Sequence, residues 1–203
     1  MPSTRRLYLA RHAEADPATG NLTARGRRQA DLLGTRLRGF APHALRHGPL
    51  PRAAQTARLV ADRLEEVTPV ELPEAGDYAP HIPERHELPP AHADGVLDFL
   101  DRVPAEARSP ELGRRALELL TGPAEGDSER REVVITHAYL VGWLVGAAME
   151  APPWRWLSVG AANAGLTVIR YTPGRPASLT VLNDLGHLPP ELRWTGFPPE
   201  LCP

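Results

Sequence analysis

The sequence predicts an α/β fold, a three-layer sandwich with a mostly parallel central sheet and helices on both faces. Short apolar runs without a helical period, at residues 7–10 and 133–136, are typical of buried strands. Segments with apolar residues at helical spacing alternate with such runs, which is the pattern of a parallel sheet. The length of 203 residues fits a single domain, which we expect to end in a proline-rich tail at about residues 189–203.

The further elements are predicted from the same two signals, apolar runs for strands and apolar residues at helical spacing for helices. Thr23 is a candidate N-cap for a first helix, whose apolar stripe runs from Ala30 to Phe40. The late segments 165–171 and 178–182 are joined by a short Pro-Gly turn, which indicates an antiparallel hairpin. The remaining strands are expected at residues 44–47 and 70–72, and the remaining helices at 52–64, 91–102, 110–120 and 140–149.

Two connecting segments lack an apolar period. Residues 73–90 are rich in proline, histidine and acidic residues but contain Tyr78 and Ile82. Long irregular connections in compact domains are often functional, and we expect this one to be an ordered loop over the site. Residues 122–131 are polar and are predicted to form a surface turn.

The composition excludes several classes of protein. All 23 basic residues are arginine, so no Walker-type or Schiff-base lysine is present. Cys202 is the single cysteine, which excludes an internal disulfide and a cysteine-based metal site. The net charge of −2 argues against a general nucleic-acid partner. No signal-peptide region opens the sequence, and the apolar stretch 139–149 is too short to span a bilayer. We therefore expect a cytoplasmic protein without a membrane partner.

Four cationic or titratable side chains stand at the ends of predicted elements. Arg11 and His12 follow the first buried strand, and His137 follows the strand at 133–136. The carboxyl ends of parallel strands meet at the edge where open α/β sheets bind ligands. Arg52 opens a helix, where a cation opposes the helix dipole unless an anion is bound there. These positions predict an anion site.

The other histidines of the first half lack the spacing of metal ligands. We interpret them as surface residues, and the chain is expected to need no metal and no cofactor. They are His43, His47, His81, His86 and His92.

In combination, these motifs make the chain resemble the histidine phosphatase superfamily, the phosphoglycerate mutase-like proteins with an Arg-His-Gly motif. The Arg-His pair at 11–12 matches that signature, with Ala13 in place of the commoner glycine. Arg52 in its Arg-Ala-x-Gln-Thr-Ala context matches the second arginine of the family, and His137 after Val-Val-Ile-Thr matches the second histidine. The resemblance covers residues 7–188, and it implies the phosphoglycerate mutase-like fold.

The resemblance implies a phosphatase that hydrolyses phosphomonoesters through a phosphohistidine on His12. The imidazole would attack phosphorus, while Arg11 and Arg52 bind the phosphoryl oxygens with planar, permanently charged forks. His137 would add a further donor, and Ala138 is included with these three residues in the expected substrate-binding set. Positioning and charge stabilisation supply most of the acceleration in such transfers.

The leaving alkoxide needs a proton, so a carboxylic acid is expected within reach. The resemblance places this acid after the third strand, where Glu74, Asp77 and Glu84 are the candidates. Leu-Pro-Glu at 72–74 resembles the Leu-x-Glu pattern of the family. Asp77 is slightly favoured, because a Gly-Asp-Tyr turn would aim its carboxylate inward.

Two other functions stay open at this point. A phosphoglycerate mutase would use the same residues but protect the phosphohistidine from water, and a non-catalytic module would only bind a phosphorylated ligand. The short loop after Glu14 favours hydrolysis. The partner is expected to be a small phosphorylated substrate or a phosphoprotein, and the oligomeric state is left open.

Overall fold

The computed structural model describes residues 1–202, and its centre is a six-stranded mixed sheet. In chain order the strands are β1 Pro2–Ser3, β2 Arg5–Arg11, β3 Ala44–His47, β4 Pro69–Glu71, β5 Ala124–Glu125, β6 Arg130–Thr136, β7 Leu166–Tyr171 and β8 Ser178–Asp184. The order across the sheet is β4-β3-β6-β2-β7-β8. The first four of these pair in parallel, while β7 and β8 are added as an antiparallel hairpin.

Five α-helices are present. They are α1 Ala24–Arg38, α2 Pro51–Ala61, α3 Pro90–Asp101, α4 Pro110–Leu120 and α5 Ala138–Ala148. Four of them, α1, α2, α4 and α5, pack on the sheet. No helix within residues 1–202 has the length and apolar character needed to cross a membrane.

The alternating side chains of β2 divide the core into two layers. Tyr8 and Ala10 pack with buried residues of α1 and α2, whereas Leu7 and Leu9 pack with those of α4 and α5. Successive side chains of a strand point to opposite faces, so a strand buried on both faces reads as a continuous apolar run. The predicted three-layer α/β sandwich is confirmed.

The boundaries of most elements agree with the sequence prediction within a few residues. Helix α1 begins after Thr23, whose side chain accepts a hydrogen bond from the backbone NH of Gly26 at 2.9 Å, as an N-cap does. The antiparallel hairpin of β7 and β8 is also present. The helix expected over 52–64 ends at Ala61, because the following residues form tighter turns.

Two local predictions were wrong. The segment 122–131 is not only a surface turn, since β5 pairs with β1 in a separate two-stranded sheet, too short to carry an apolar period. His47 is not a surface residue: it is buried at the end of β3, and its Nδ1 lies 2.8 Å from the backbone oxygen of Gly48.

The predicted loop at 73–90 and the predicted tail both pack onto the body of the protein. Tyr78 is buried in the loop, and its hydroxyl donates to the backbone oxygen of Glu74 at 2.7 Å. In the tail, Leu192 is buried, while Trp194 and Phe197 stack edge to face and lie against the core. The last residue of the predicted tail, Pro203, lies outside the described residues.

Candidate active site

The two histidines of the sequence pattern meet at the carboxyl edge of the sheet. Strands β2 and β6 are parallel neighbours in which Arg11 faces Thr136, so His12 and His137 follow at the same level. The ring centroids of His12 and His137 are 5.0 Å apart. The register of two strands distant in sequence therefore produces the pair.

His12 is buried, and both of its ring nitrogens have partners. Nδ1 lies 2.8 Å from the backbone oxygen of Ala13, which can only accept a hydrogen bond. Nε2 lies 3.2 Å from Nε of Arg52, which can only donate. The proton must therefore sit on Nδ1, and Nε2 carries the lone pair. Burial, assisted by the nearby ring of His137, holds the pKa of His12 well below its ordinary value of 6.5, so the ring is neutral.

Arg52 lies in the first turn of α2 and reaches two site residues. Its Nε contacts His12, and its Nη2 donates to Oδ2 of Asp77 at 2.6 Å. Pro51 precedes it at the start of the helix, where a missing NH costs nothing. The guanidinium is thus placed between the nucleophile candidate and a carboxylate.

His137 precedes α5 as its N-cap and is only 1% exposed. Within residues 1–202 neither of its ring nitrogens has a hydrogen-bond partner, although Oδ2 of Asp77 lies 3.4 Å from Nδ1. Burial, with Arg52 and Arg11 adding to it, lowers the pKa of His137 to about 3. A buried imidazole without a partner is costly, so these nitrogens are suited to bind a ligand.

Arg11 is held by backbone oxygens. Its Nη1 donates to Ala161 at 2.8 Å and to Gly196 at 2.6 Å, and its buried Nε has no partner in the described part of the chain. Burial lowers the pKa of Arg11, yet a guanidinium stays charged in proteins. The guanidinium of Arg11 is therefore held through Nη1, and its other NH groups can donate to an anion.

Gly196 is a glycine because the fold leaves no room for a side chain. Its φ is +67°, and a Cβ added there would clash with Oδ1 of Asn163 and lie 2.9 Å from Nη2 of Arg11. The C-terminal tail is consequently part of the active-site wall.

A buried amide and hydroxyl network connects the tail to the His12 loop, and the sequence interpretation missed it. Asn163 donates to the backbone oxygen of His12 at 2.9 Å and accepts from the hydroxyl of Thr195 at 3.2 Å. Gln29 donates to Thr195 at 2.8 Å and accepts from the backbone NH of Glu14 at 2.8 Å. The only sequence signal for this network is the Asn-Ala-Gly segment at 163–165, which leads into the strand predicted at 165–171.

The three carboxylate candidates occupy different places. Asp77 pairs with Arg52 and approaches His137, and no other carboxylate of residues 1–202 lies within 4.0 Å of an Arg11, His12, Arg52 or His137 nitrogen. Glu74 is buried but turns away to pair with Arg115 of α4 at 2.6 Å. Glu84 is exposed and caps a turn of 3₁₀-helix at 85–87. Of the three, the structure thus brings only Asp77 to the histidines.

Ala138, the remaining expected substrate-binding residue, is the first residue of α5 and lines a cavity together with Arg11. Backbone NH groups at a helix N-terminus favour anions. Among residues 1–202, no group of three or more His, Cys, Asp or Glu side chains is arranged to hold a metal ion.

The arrangement is suited to phosphoryl transfer. A neutral imidazole whose Nε2 carries the lone pair, two guanidinium groups and a second buried imidazole converge at one strand edge, with a carboxylate beside them. Such a set of side chains can provide a nucleophile, the ligands for a tetrahedral anion and a proton donor.

The chain belongs to the histidine phosphatase superfamily (branch 1), whose family model matches residues 7–184. The family expected from the motifs is therefore confirmed.

Individual relatives agree with this family and fold. The chain is 28% identical over 199 residues to the mitochondrial serine/threonine-protein phosphatase PGAM5 of Rattus norvegicus, covering 93% of this chain and 66% of the relative. Among solved structures, mycobacterial hydrolase 1 matches with a TM-score of 0.67 and 21% identity, covering 89% of this chain and 99% of that one. A phosphoglycerate mutase from Plasmodium falciparum matches with a TM-score of 0.58 and 17% identity, covering 91% and 92%.

Proposed function

We propose that this protein is a phosphatase that hydrolyses phosphomonoesters through a phosphohistidine on His12. The observation that carries the proposal is the state of His12, whose unprotonated Nε2 faces Arg52 while Nδ1 is tied to the backbone. His47 also has Nδ1 on a backbone oxygen, so the guanidinium at the lone pair is what sets His12 apart. The family and the phosphatase named among its relatives support the same reaction.

In the first step, Nε2 of His12 attacks phosphorus in line as the bond to the leaving oxygen breaks. Arg11, Arg52 and His137 bind the three phosphoryl oxygens and stabilise their charge. Asp77, as the acid, gives its proton to the leaving alkoxide. In the second step, Asp77 takes a proton from water, the resulting hydroxide oxygen bonds to phosphorus, and the phosphorus–nitrogen bond breaks.

The substrate is proposed only as a class. The rat relative is named a serine/threonine-protein phosphatase, which makes a phosphoprotein one candidate, and a small phosphorylated molecule is the other. The chain spans 66% of that relative, so the specificity of the relative is not carried over.

The test is hydrolysis of p-nitrophenyl phosphate by the purified protein and by His12→Ala. We expect turnover by the wild type, its loss in His12→Ala, and an acid-labile phosphoryl label on His12 after rapid quenching. His92→Ala, which removes an exposed histidine of α3, is the matched control and should keep full activity.

The other outcomes identify the alternative functions. Tight phosphate binding without turnover would indicate a non-catalytic module, and interconversion of phosphoglycerates without phosphate release would indicate a mutase. A phosphoryl label on another residue would contradict the role of His12.

We also propose a cytoplasmic location, on the sequence argument alone. The rat relative is named a mitochondrial protein, and that name applies to the relative. Fractionation of the cells that express the chain natively would test the location, and recovery in a membrane-bounded compartment would contradict it.

A further inference from the structure

Two cavities extend from the candidate active site toward the solvent. The first has a volume of about 500 Å³ and is bordered by Arg11, and the second has a volume of about 400 Å³ and is bordered by Asp77. Phe99 and Tyr139 line both cavities, so the two spaces border the same pair of rings. Together they form one surface beside the reacting groups, which we call the aromatic cleft.

The aromatic cleft is built around a row of three rings. The ring centroids of Tyr139 and Trp156 are 4.9 Å apart, and those of Phe99 and Tyr139 are 6.4 Å apart, both edge to face. Trp156 is buried, and its Nε1 donates to the backbone oxygen of His81 at 3.0 Å. Phe99 is 40% exposed, so its ring is open to a ligand from the solvent. The row is therefore rigid at one end and accessible at the other.

Few charged groups line the aromatic cleft. Apart from Arg11 and Asp77, which belong to the phosphoryl site, the only charged side chain among its described lining residues is Arg102, and it is exposed. The far wall is apolar and comes from Phe197, Pro198 and Leu201 of the tail. A carboxylate or ammonium group of a substrate would lose water there without gaining a buried partner, which is costly.

The position of Asp77 decides which part of a substrate lies in the cleft. The proton donor must lie next to the oxygen that leaves, so the alcohol part of the ester lies on the side of Asp77. The side chains on that side include Tyr78, Phe99, Val103 and Tyr139. The alcohol part would therefore rest against aromatic and aliphatic surface.

We propose that the site selects phosphomonoesters of aromatic alcohols, with the ring of the alcohol bound against Phe99 and Tyr139 in the aromatic cleft. The inference rests on the proposed phosphatase function. An edge-to-face or stacked ring pair contributes binding beyond the area it buries, and that contribution corresponds to roughly a three- to tenfold preference. Both a small aryl phosphate and a tyrosine phosphate present this chemistry.

The first experiment compares two alkyl esters of similar leaving-group ability, 2-phenylethyl phosphate and 2-hydroxyethyl phosphate. We expect kcat/KM to be at least about fivefold higher for the phenylethyl ester. Phe99→Ala should remove most of this ratio, and Phe99→Leu should retain part of it. Leu119→Ala, at an exposed leucine of α4, is the control and should leave the ratio unchanged. Because the measurement is a ratio, a loss of folded protein does not alter it.

Equal kcat/KM for the two esters, or a ratio that Phe99→Ala leaves unchanged, would overturn the proposal. Binding of benzylphosphonate and methylphosphonate, which the protein cannot hydrolyse, separates this failure from failure of the phosphatase function. If no ester were hydrolysed, the phosphatase function would be overturned. The cleft would still be supported if benzylphosphonate bound more tightly than methylphosphonate and Phe99→Ala abolished the difference. Equal affinities would overturn the cleft.

A second arm identifies the source of the aromatic alcohol. Phenyl phosphate and a phosphotyrosine peptide have similar leaving groups, so their kcat/KM values report what surrounds the ring. A higher value for the peptide would indicate a protein substrate, and a higher value for phenyl phosphate a small molecule. A value for both that is no higher than that for phosphoserine would overturn the proposal, since phenolates leave more readily than alkoxides.

Discussion

The Nε of Arg52 lies 3.2 Å from the Nε2 of His12, with the imidazole nitrogen as acceptor. The contact joins two residues 40 positions apart and holds the lone pair of the nucleophile candidate beside a permanent cation. Attack by Nε2 would place the transferred phosphoryl group next to this guanidinium. The same arginine is therefore placed to orient the nucleophile and to stabilise the charge on the phosphoryl oxygens.

Arg52→Lys is expected to lower kcat/KM for p-nitrophenyl phosphate by about 100-fold, as the loss of an oxyanion-binding donor does. A lysine keeps the charge but cannot contact His12 and Asp77 at once through a planar fork. Steady-state kinetics and circular dichroism would be measured together. Arg58→Lys, on the exposed end of the same helix, is the control, and equal effects of the two variants would contradict the role of Arg52.

Asp77→Asn is expected to reduce kcat/KM for an alkyl phosphate by about 100-fold or more, and to affect p-nitrophenyl phosphate far less. A good leaving group does not need the proton that the acid supplies. The comparison of both substrates for wild type and variant gives the measurement. Asp77 is the carboxylate that reaches Arg52 and His137.

Glu74→Gln provides the contrast, because Glu74 is buried but pairs with Arg115. This variant should lower the free energy of unfolding by about 1–3 kcal/mol in urea titration and should show no leaving-group dependence. If Glu74→Gln instead showed the strong leaving-group effect, the acid would be Glu74 and the assignment to Asp77 would fail.

Gly196→Ala is expected to weaken phosphate binding by about tenfold, roughly the contribution of one charge-assisted hydrogen bond. The new methyl group would clash with Oδ1 of Asn163 and crowd both terminal nitrogens of Arg11, so we expect the guanidinium to move away from the anion. Calorimetric titration with inorganic phosphate is the measurement. Gly174→Ala is the matched control, since its φ of +70° carries the same backbone strain with no atom within 4 Å of the added carbon. Unchanged phosphate affinity in Gly196→Ala would show that the tail does not position Arg11.

The stability of the protein should fall between about pH 6.5 and pH 4.5 in a way that depends on His137. The pKa of His137 is lowered to about 3 from 6.5, so the unfolded chain binds its proton more readily than the folded chain. Stability therefore rises with pH in this window and is lost as the pH falls. Urea unfolding would be measured at both ends of this pH window. The free energy of unfolding should fall by about 2 kcal/mol more for the wild type than for His137→Gln. Equal losses would contradict a buried neutral His137.

The strands that carry the site were readable from the sequence because each is buried on both faces. The apolar runs at 7–10 and 133–136 belong to β2 and β6, and their parallel pairing follows from the alternation with helices. His12 and His137 could then be placed at one edge. The short pairing of β1 with β5 could not be predicted, since two-residue strands show no period.

The contacts of individual side chains were harder to predict from the sequence than the strands. His47 looked like a surface residue, but it is buried at the end of β3. Glu74 stood in the more familiar motif, whereas Asp77 is the carboxylate that the fold brings to Arg52. Composition and spacing do not state which way a loop side chain turns, because this depends on residues far away in the chain, such as Arg115.

By itself the sequence determined the family, the layered α/β fold and the identity of the four side chains that meet at the carboxyl edge of the sheet. These depend on local patterns, namely apolar periods and the residue types that follow a strand. Only the tertiary structure decided that the tail closes on Arg11 through Gly196 and that Asp77 is the site carboxylate. It also decided that an aromatic cleft lies beside Asp77. Arg11 and Gly196 are 185 positions apart, and Asp77 and His137 come from different segments of the chain, so these contacts follow from the packing of the whole chain.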